Sequence, residues 1–215
     1  MTSENPSTVR APFIVIEGLD GAGGTTQSRL LQSWLERQGH TVVQTNEPTD
    51  LPVGQLIRQV IQDPHSKVGD EVLAYLFAAD RQNHLTQTIL PALSSGTVVL
   101  SDRYYHSSLA YQSMSLDFDF VAQLNERFQA PDITVFLLLE PETSFGRVQK
   151  RGLPIERFET LDRLRSIAQS YNRVIEYCQN RGEKIICLDA TQSIEEIHEL
   201  ICTAIEPILS NHSES

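Results

Sequence analysis

Five short stretches of this chain, Phe13–Ile16, Thr41–Thr45, Thr97–Leu100, Ile133–Leu139 and Lys184–Leu188, are near-continuously apolar and β-rich, and helical patterns separate them. A strand with one wet face alternates apolar and polar residues. A continuous run needs cover on both faces, as in a parallel sheet whose crossovers are helices. Between the runs, Leu30, Leu31, Trp34 and Leu35 mark one helix face. A long second helix carries Val72, Leu73, Leu76 and Phe77, then Leu85, Ile89 and Leu93, with Asp70 expected as its N-cap. Ile194, Ile197, Leu200, Ile201, Ala204, Ile205 and Ile208 form a closing amphipathic helix that Ser193 should cap. The order predicts an α/β three-layer sandwich around a five-stranded parallel sheet.

The 215 residues suffice for one sizeable core. Residues 1–11 are polar, without the apolar segment of a signal peptide, and read as a flexible lead-in to one domain over 12–210. No apolar run approaches membrane-spanning length, so a cytoplasmic protein without membrane partners is expected. The formal net charge of −11 argues against nucleic-acid partners, and any anionic ligand needs a local cationic pocket. The three cysteines, Cys178, Cys187 and Cys202, follow no metal or redox spacing. Arg147, Lys150, Arg151, Arg157, Arg163 and Arg165 crowd one stretch of this acidic chain, where a solvated helix face is the plain alternative to a function.

After the first strand run comes Gly18-Leu19-Asp20-Gly21-Ala22-Gly23-Gly24-Thr25-Thr26, and then a helix. The phosphate-loop pattern G-x-x-x-x-G-K-[ST] needs the same context of strand, loop and helix. Gly18 and Gly23 have its spacing and Thr25 holds its hydroxyl position. Such a loop turns successive N–H groups inward as an anion nest at a helix N-terminus, and Thr25 is placed to ligate a magnesium ion. Gly24 stands where the pattern has lysine. The N–H cradle needs only backbone, so the change removes one cation and leaves the nest. A glycine-rich turn that binds nothing is the alternative for the loop taken alone.

Further motifs give the loop its setting. They are Glu47-Pro48 after the second strand, Phe77-Ala78-Ala79-Asp80-Arg81 on the long helix, Asp102-Arg103-Tyr104 after the third strand and Ser107-Ser108-Leu109-Ala110-Tyr111-Gln112 beyond it. Pro131-Asp132 precedes the fourth strand and Glu156-Arg157-Phe158-Glu159 lies in the basic stretch. In this order the set resembles the thymidylate kinase family, from about Phe13 to the last helix. The resemblance implies a P-loop NTPase fold with a short LID at about 147–159, and an enzyme that moves the γ-phosphoryl group of ATP to dTMP with Mg²⁺.

It also implies roles for single residues. Gly18, Gly21, Ala22, Gly23, Gly24, Thr25 and Thr26 would hold the ATP phosphates. Thr25 and Asp102 would contact the metal. Phe77, one helical turn from Arg81, would stack on thymine while Arg81 and Gln112 read its edge, although Phe77 also suits an ordinary core. Tyr111 would pack under the deoxyribose and exclude a 2′-hydroxyl, or serve as a core tyrosine. Asp20 would approach the 3′-hydroxyl, and Arg58 the acceptor phosphate unless it is an exposed helix charge. Glu47, Ser107 and Ser108 join the acceptor site by the same resemblance. Arg103 would bridge both phosphates, where a local salt bridge with Asp102 is the alternative. Since Gly21 and Ala22 offer no arginine inside the loop, the LID should supply the catalytic one from Arg147, Arg151 or Arg157. One of these, or Arg103, would also cover the charge lost at Gly24. Asp189-Ala190-Thr191-Gln192 matches the place of the adenine-holding backbone, and equally a plain strand-to-helix loop. A homodimer is implied by the resemblance alone. A nucleotide-binding relative with little or no turnover, an engineered loop variant, and a kinase for another deoxynucleoside monophosphate are the competing readings.

Overall fold

The computed structural model describes residues 10–63, 65–150 and 160–211. The chain alternates as the apolar runs require. β1 (Phe13–Gly18), α1 (Gly24–Arg37), β2 (Val42–Asn46), α2 (Pro52–Gln62) and α3 (Asp70–His84) come first. A single π-helical turn, Leu85–Ile89, joins α3 to α4 (Leu90–Ser94). β3 (Val98–Asp102), α5 (Tyr105–Tyr111) and α6 (Phe118–Asn125) follow, then β4 (Ile133–Leu138), α7 (Pro141–Lys150), α8 (Leu161–Asn180), β5 (Ile185–Asp189) and α9 (Ile194–Asn211). The strands lie in the order β2-β3-β1-β4-β5, and every pair is parallel. All five apolar runs are therefore strands of one sheet, with ends within two residues of those read from the sequence.

Both faces of the sheet are covered, which is why its strands lack alternation. Phe13, Val15, Val99 and Phe136 face one core with α3, α5 and α8. Ile14, Ile16, Leu100, Val135 and Leu137 face the other with α1 and α9. Two helix starts differ in outcome. Ser193 caps α9 as expected, its Oγ accepting from the Glu196 N–H at 3.2 Å while Glu196 accepts from the Ser193 N–H at 2.9 Å. Asp70 is instead the first residue of α3 and Gly69 is its N-cap, with no side-chain cap bond. An acidic side chain in the first turn still complements the helix dipole. No described helix is long and apolar enough to cross a membrane.

This topology gathers the chemistry-bearing segments at one edge. β1 sits in the middle of the order, and the chain leaves it toward β2 and β3 on one side and β4 and β5 on the other. In such open sheets ligands bind beyond the strand carboxyl ends, where the order reverses. The register sets Asp102 abreast of both Ile16 and Asn46, so the segments after β1, β2 and β3 start side by side. Gly54, in the first turn of α2, fixes the segment after β2. A Cβ there would lie 2.1 Å from the Thr49 carbonyl oxygen and 2.6 Å from its nitrogen. Gly54→Ala should therefore cost about 1–3 kcal/mol by overpacking against rigid backbone, read as a lower denaturation midpoint.

Candidate active site

The glycine loop leaves β1 and turns into α1. Gly23, at φ +104°, is the N-cap and no side chain caps the helix. By helix geometry the first N–H groups of α1 have no carbonyl one turn back, so they face the cleft the loop encloses. That cleft is lined by the loop from Gly18 to Thr26 together with Glu17, Asp102, Arg103 and Arg147. Across it the Thr25 hydroxyl donates to Asp102 Oδ2 at 2.8 Å. Two hard oxygen donors are thereby set together, a donor type suited to a small divalent cation.

A second cleft lies beside the first. It is a cavity of about 120 Å³ lined by Asp20, Glu47, Phe77, Arg81, Arg103, Ser107, Ser108, Tyr111 and Gln112, with Pro48, Ile61 and Tyr104. Nine residues singled out in the sequence thus share one cleft. Asp20 and Arg103 line both clefts and form the seam between them. Gln112 is buried, and its amide oxygen has no hydrogen-bond partner among the described residues. A buried amide left half-satisfied is costly unless a ligand completes it.

The cations here are held rigidly. Arg81 is 1% exposed. Its Nε and Nη2 donate to Glu47 Oε2 at 2.9 and 2.6 Å, Nη2 also donates to Ser108 Oγ at 3.0 Å, and Nη1 donates to Asn125. Of its five N–H groups, one on Nη1 is left for the cavity. Glu47 also meets His84 Nδ1 at 3.0 Å. Arg103 adopts a left-handed backbone, φ +71°, which costs a non-glycine residue about 1–3 kcal/mol and persists only where surrounding structure holds it. Its N–H donates to the Ile16 carbonyl at 2.8 Å, and its guanidinium donates to Asp20 at 2.9 Å, Ser107 at 3.0 Å and the Tyr111 hydroxyl at 3.1 Å. Burial acts to lower its pKa, but Tyr111, Asp20, Tyr171 and Glu17 outweigh that and raise it well above the ordinary value. Arg103 is a permanent cation.

Arg58 points its guanidinium at the Pro48 and Thr49 carbonyls and pairs with Asp50 at 3.2 Å. It lies outside the second cleft, in an adjoining groove with Thr25, Asn46 and Asp102. Arg147, on α7, sits over the glycine loop, while Arg151 and Arg157 lie outside the described residues. Sequence reasoning passed over Glu17. This buried carboxylate accepts from the N–H groups of Tyr104 and Ser107 at 2.8 and 3.1 Å, from Ser107 Oγ at 2.7 Å and from the Tyr171 hydroxyl at 3.1 Å. The available signal was an acid at the end of a strand that is otherwise wholly apolar.

Residues 16–201 match the thymidylate kinase family. The chain belongs to this family. It is 39% identical to a probable thymidylate kinase of Pyrococcus horikoshii over 203 residues, covering 92% of this chain and 97% of that protein. It is 39% identical to a probable thymidylate kinase of Thermococcus kodakarensis, over 92% of this chain and 98% of that one. A thymidylate kinase of Halothermothrix orenii is 37% identical over 90% and 95% of the two chains. Membership indicates an ATP-dependent phosphotransferase of the nucleoside monophosphate kinase type.

Burial pushes the Tyr104, Tyr105, Tyr111 and Tyr171 hydroxyls above their ordinary value, and nearby carboxylates add to the shift. A raised value keeps the neutral phenol at higher pH. These four should therefore stay protonated above about pH 10, where free tyrosine ionises, and ionise only as the protein unfolds. Near-ultraviolet absorbance followed through an alkaline titration reads this directly.

Proposed function

We propose that the protein transfers the γ-phosphoryl group of ATP to a phosphate oxygen of dTMP, giving dTDP and ADP. The observation that carries this reading is the pair of clefts meeting at Asp20 and Arg103. One is an anion nest at a helix N-terminus. The other has the aromatic face of Phe77, an open N–H on Arg81 and an unpaired amide oxygen on Gln112, suited to a pyrimidine that both donates and accepts. Tyr111, held by Arg103 and reaching Asp20 at 3.3 Å, closes the sugar end against a 2′-hydroxyl.

In the transfer, the bond from the terminal phosphorus to the leaving oxygen of ADP breaks as the bond to the dTMP phosphate oxygen forms. The attacking oxygen is already anionic, so no strong general base is needed. Catalysis is then positioning and charge neutralisation. The loop N–H groups orient the donor, and Arg103 at the seam can reach oxygens of both phosphates. Arg58 neighbours the acceptor side. Thr25 and Asp102 would hold Mg²⁺, which when bound neutralises charge on the phosphate oxygens. Arg151 and Arg157 stay further candidates for LID cations. Nucleotide binding with little turnover is the second reading, favoured by the missing ammonium at Gly24.

We also read the protein as a homodimer. Val72 and Tyr75 on α3 and Leu56 on α2 are 45–53% exposed on two helices packed together, and the family resemblance points to helix pairing. Light scattering should give twice the chain mass, and Val72→Asp should reduce it to one.

ADP release measured against a panel of monophosphates tests the main reading. Magnesium-dependent turnover with dTMP, above that with dUMP or ribonucleotides, is expected. ATP and dTMP binding without ADP release would favour the second reading, and a preference for another monophosphate would overturn the substrate assignment.

A further inference from the structure

Gly24 is where this chain departs from the phosphate-loop pattern, and the structure shows what occupies the space. A Cβ at residue 24 would lie 2.8 Å from Asp102 Oδ1, while Oδ2 of the same carboxylate accepts the Thr25 hydroxyl. An anion thus leans over the backbone of the position that normally carries a cation, so the need for a positive charge at the loop is greater.

Among the described residues lining the loop cleft, two carry that charge, Arg103 and Arg147. Arg103 is partnered by the Asp20 carboxylate and by three hydroxyls, and it sits at the seam between the two clefts. Arg147 differs in its partners. Nη1 donates to the Gly21 carbonyl at 3.2 Å and Nη2 to the Ala190 carbonyl at 3.1 Å, and among the described residues it has no carboxylate partner. Carbonyl dipoles orient a guanidinium without cancelling its charge. The stem is fixed as well. Ser144, one turn earlier on α7, donates to the Asp20 carbonyl at 2.6 Å, and a Cβ at Gly21 would stand 3.1 Å from Arg147 Cβ. α7 is therefore docked on the loop itself, and it brings to the nest a preorganised cation with no carboxylate partner among the described residues.

We infer that Arg147 is the phosphate-binding cation that replaces the ammonium absent at Gly24. This rests on the reading of the loop as the ATP site. A guanidinium serves the purpose because its planar fork keeps donors free for phosphate oxygens while others hold the carbonyls.

The test compares ATP, ADP and AMP binding by calorimetry, in the unaltered protein and in Arg147→Gln. Loss of a charge-assisted contact to the outer phosphates should weaken ATP and ADP about 10- to 100-fold and AMP less than about threefold. A parallel loss for all three would mark a structural or base contact and overturn the inference, as would ATP binding that survives unchanged. In a Gly24→Lys background the same Arg147 change should cost ATP less than about threefold, because the ammonium is restored; an equal cost in both backgrounds overturns the replacement. Gly24→Lys alone keeps the question open to decision if Arg147→Gln fails to fold. A gain in ADP affinity below about threefold, measured without metal, is expected, whereas a gain above about tenfold would show the cation position to be unfilled and overturn the proposal. Failure of the unaltered protein to bind ATP at all would instead remove the kinase reading beneath it.

Discussion

The carboxylate of Glu17 holds the site together. It lies on β1, one residue before the glycine loop, and is 1% exposed. A buried charge of this kind is tolerable only when fully hydrogen-bonded. Here the Tyr104 and Ser107 N–H groups, the Ser107 hydroxyl and the Tyr171 hydroxyl all donate to it. The two N–H groups belong to the start of α5, where a negative charge also meets the helix dipole. One side chain thus ties the donor loop, the turn after β3 and α8 to a single point. The left-handed backbone of Arg103 lies one residue before Tyr104, which Glu17 holds, so the strain there has a structural counterweight.

An acidic chain that handles two anionic substrates must concentrate its cations. The structure does so in two ways. Arg81 and Arg103 are each paired with a carboxylate, Glu47 and Asp20, which fixes their direction while leaving them cationic. A buried ion pair such as Arg81–Glu47 adds little net stability, since desolvation offsets attraction; the use of both pairs is placement. Arg147 is fixed by neutral carbonyls instead. The distinction separates two arginines held by carboxylates from one that, among the described residues, has none.

Gly24 leaves the loop without the side-chain cation that the phosphate-loop pattern carries. The nest is main chain and the first turn of α1 is uncapped, so the loop N–H groups do not depend on a side chain at 24. What changes is electrostatic, because the carboxylate of Asp102 stands against the backbone at 24 with no side-chain cation there. On the inference drawn for Arg147, the charge missing at 24 is supplied from α7, far off in sequence.

The sequence by itself determined the sheet, because runs such as Ile133–Leu139 are apolar on both faces and can be buried only between helical layers. It also determined the loop, since glycine spacing dictates local backbone, and the ordered motifs placed Phe77, Arg81, Tyr111 and Gln112 together. Tertiary structure decided the rest for reasons of distance. Whether Arg81 and Arg103 are paired or open depends on Glu47, Asn125 and Asp20, which lie 34, 44 and 83 residues away along the chain. The central place of Glu17 and the seating of Arg147 on Gly21 arise from contacts across the packed layers. Spacing along a chain fixes which face a side chain shares, but only packing fixes which charge it meets.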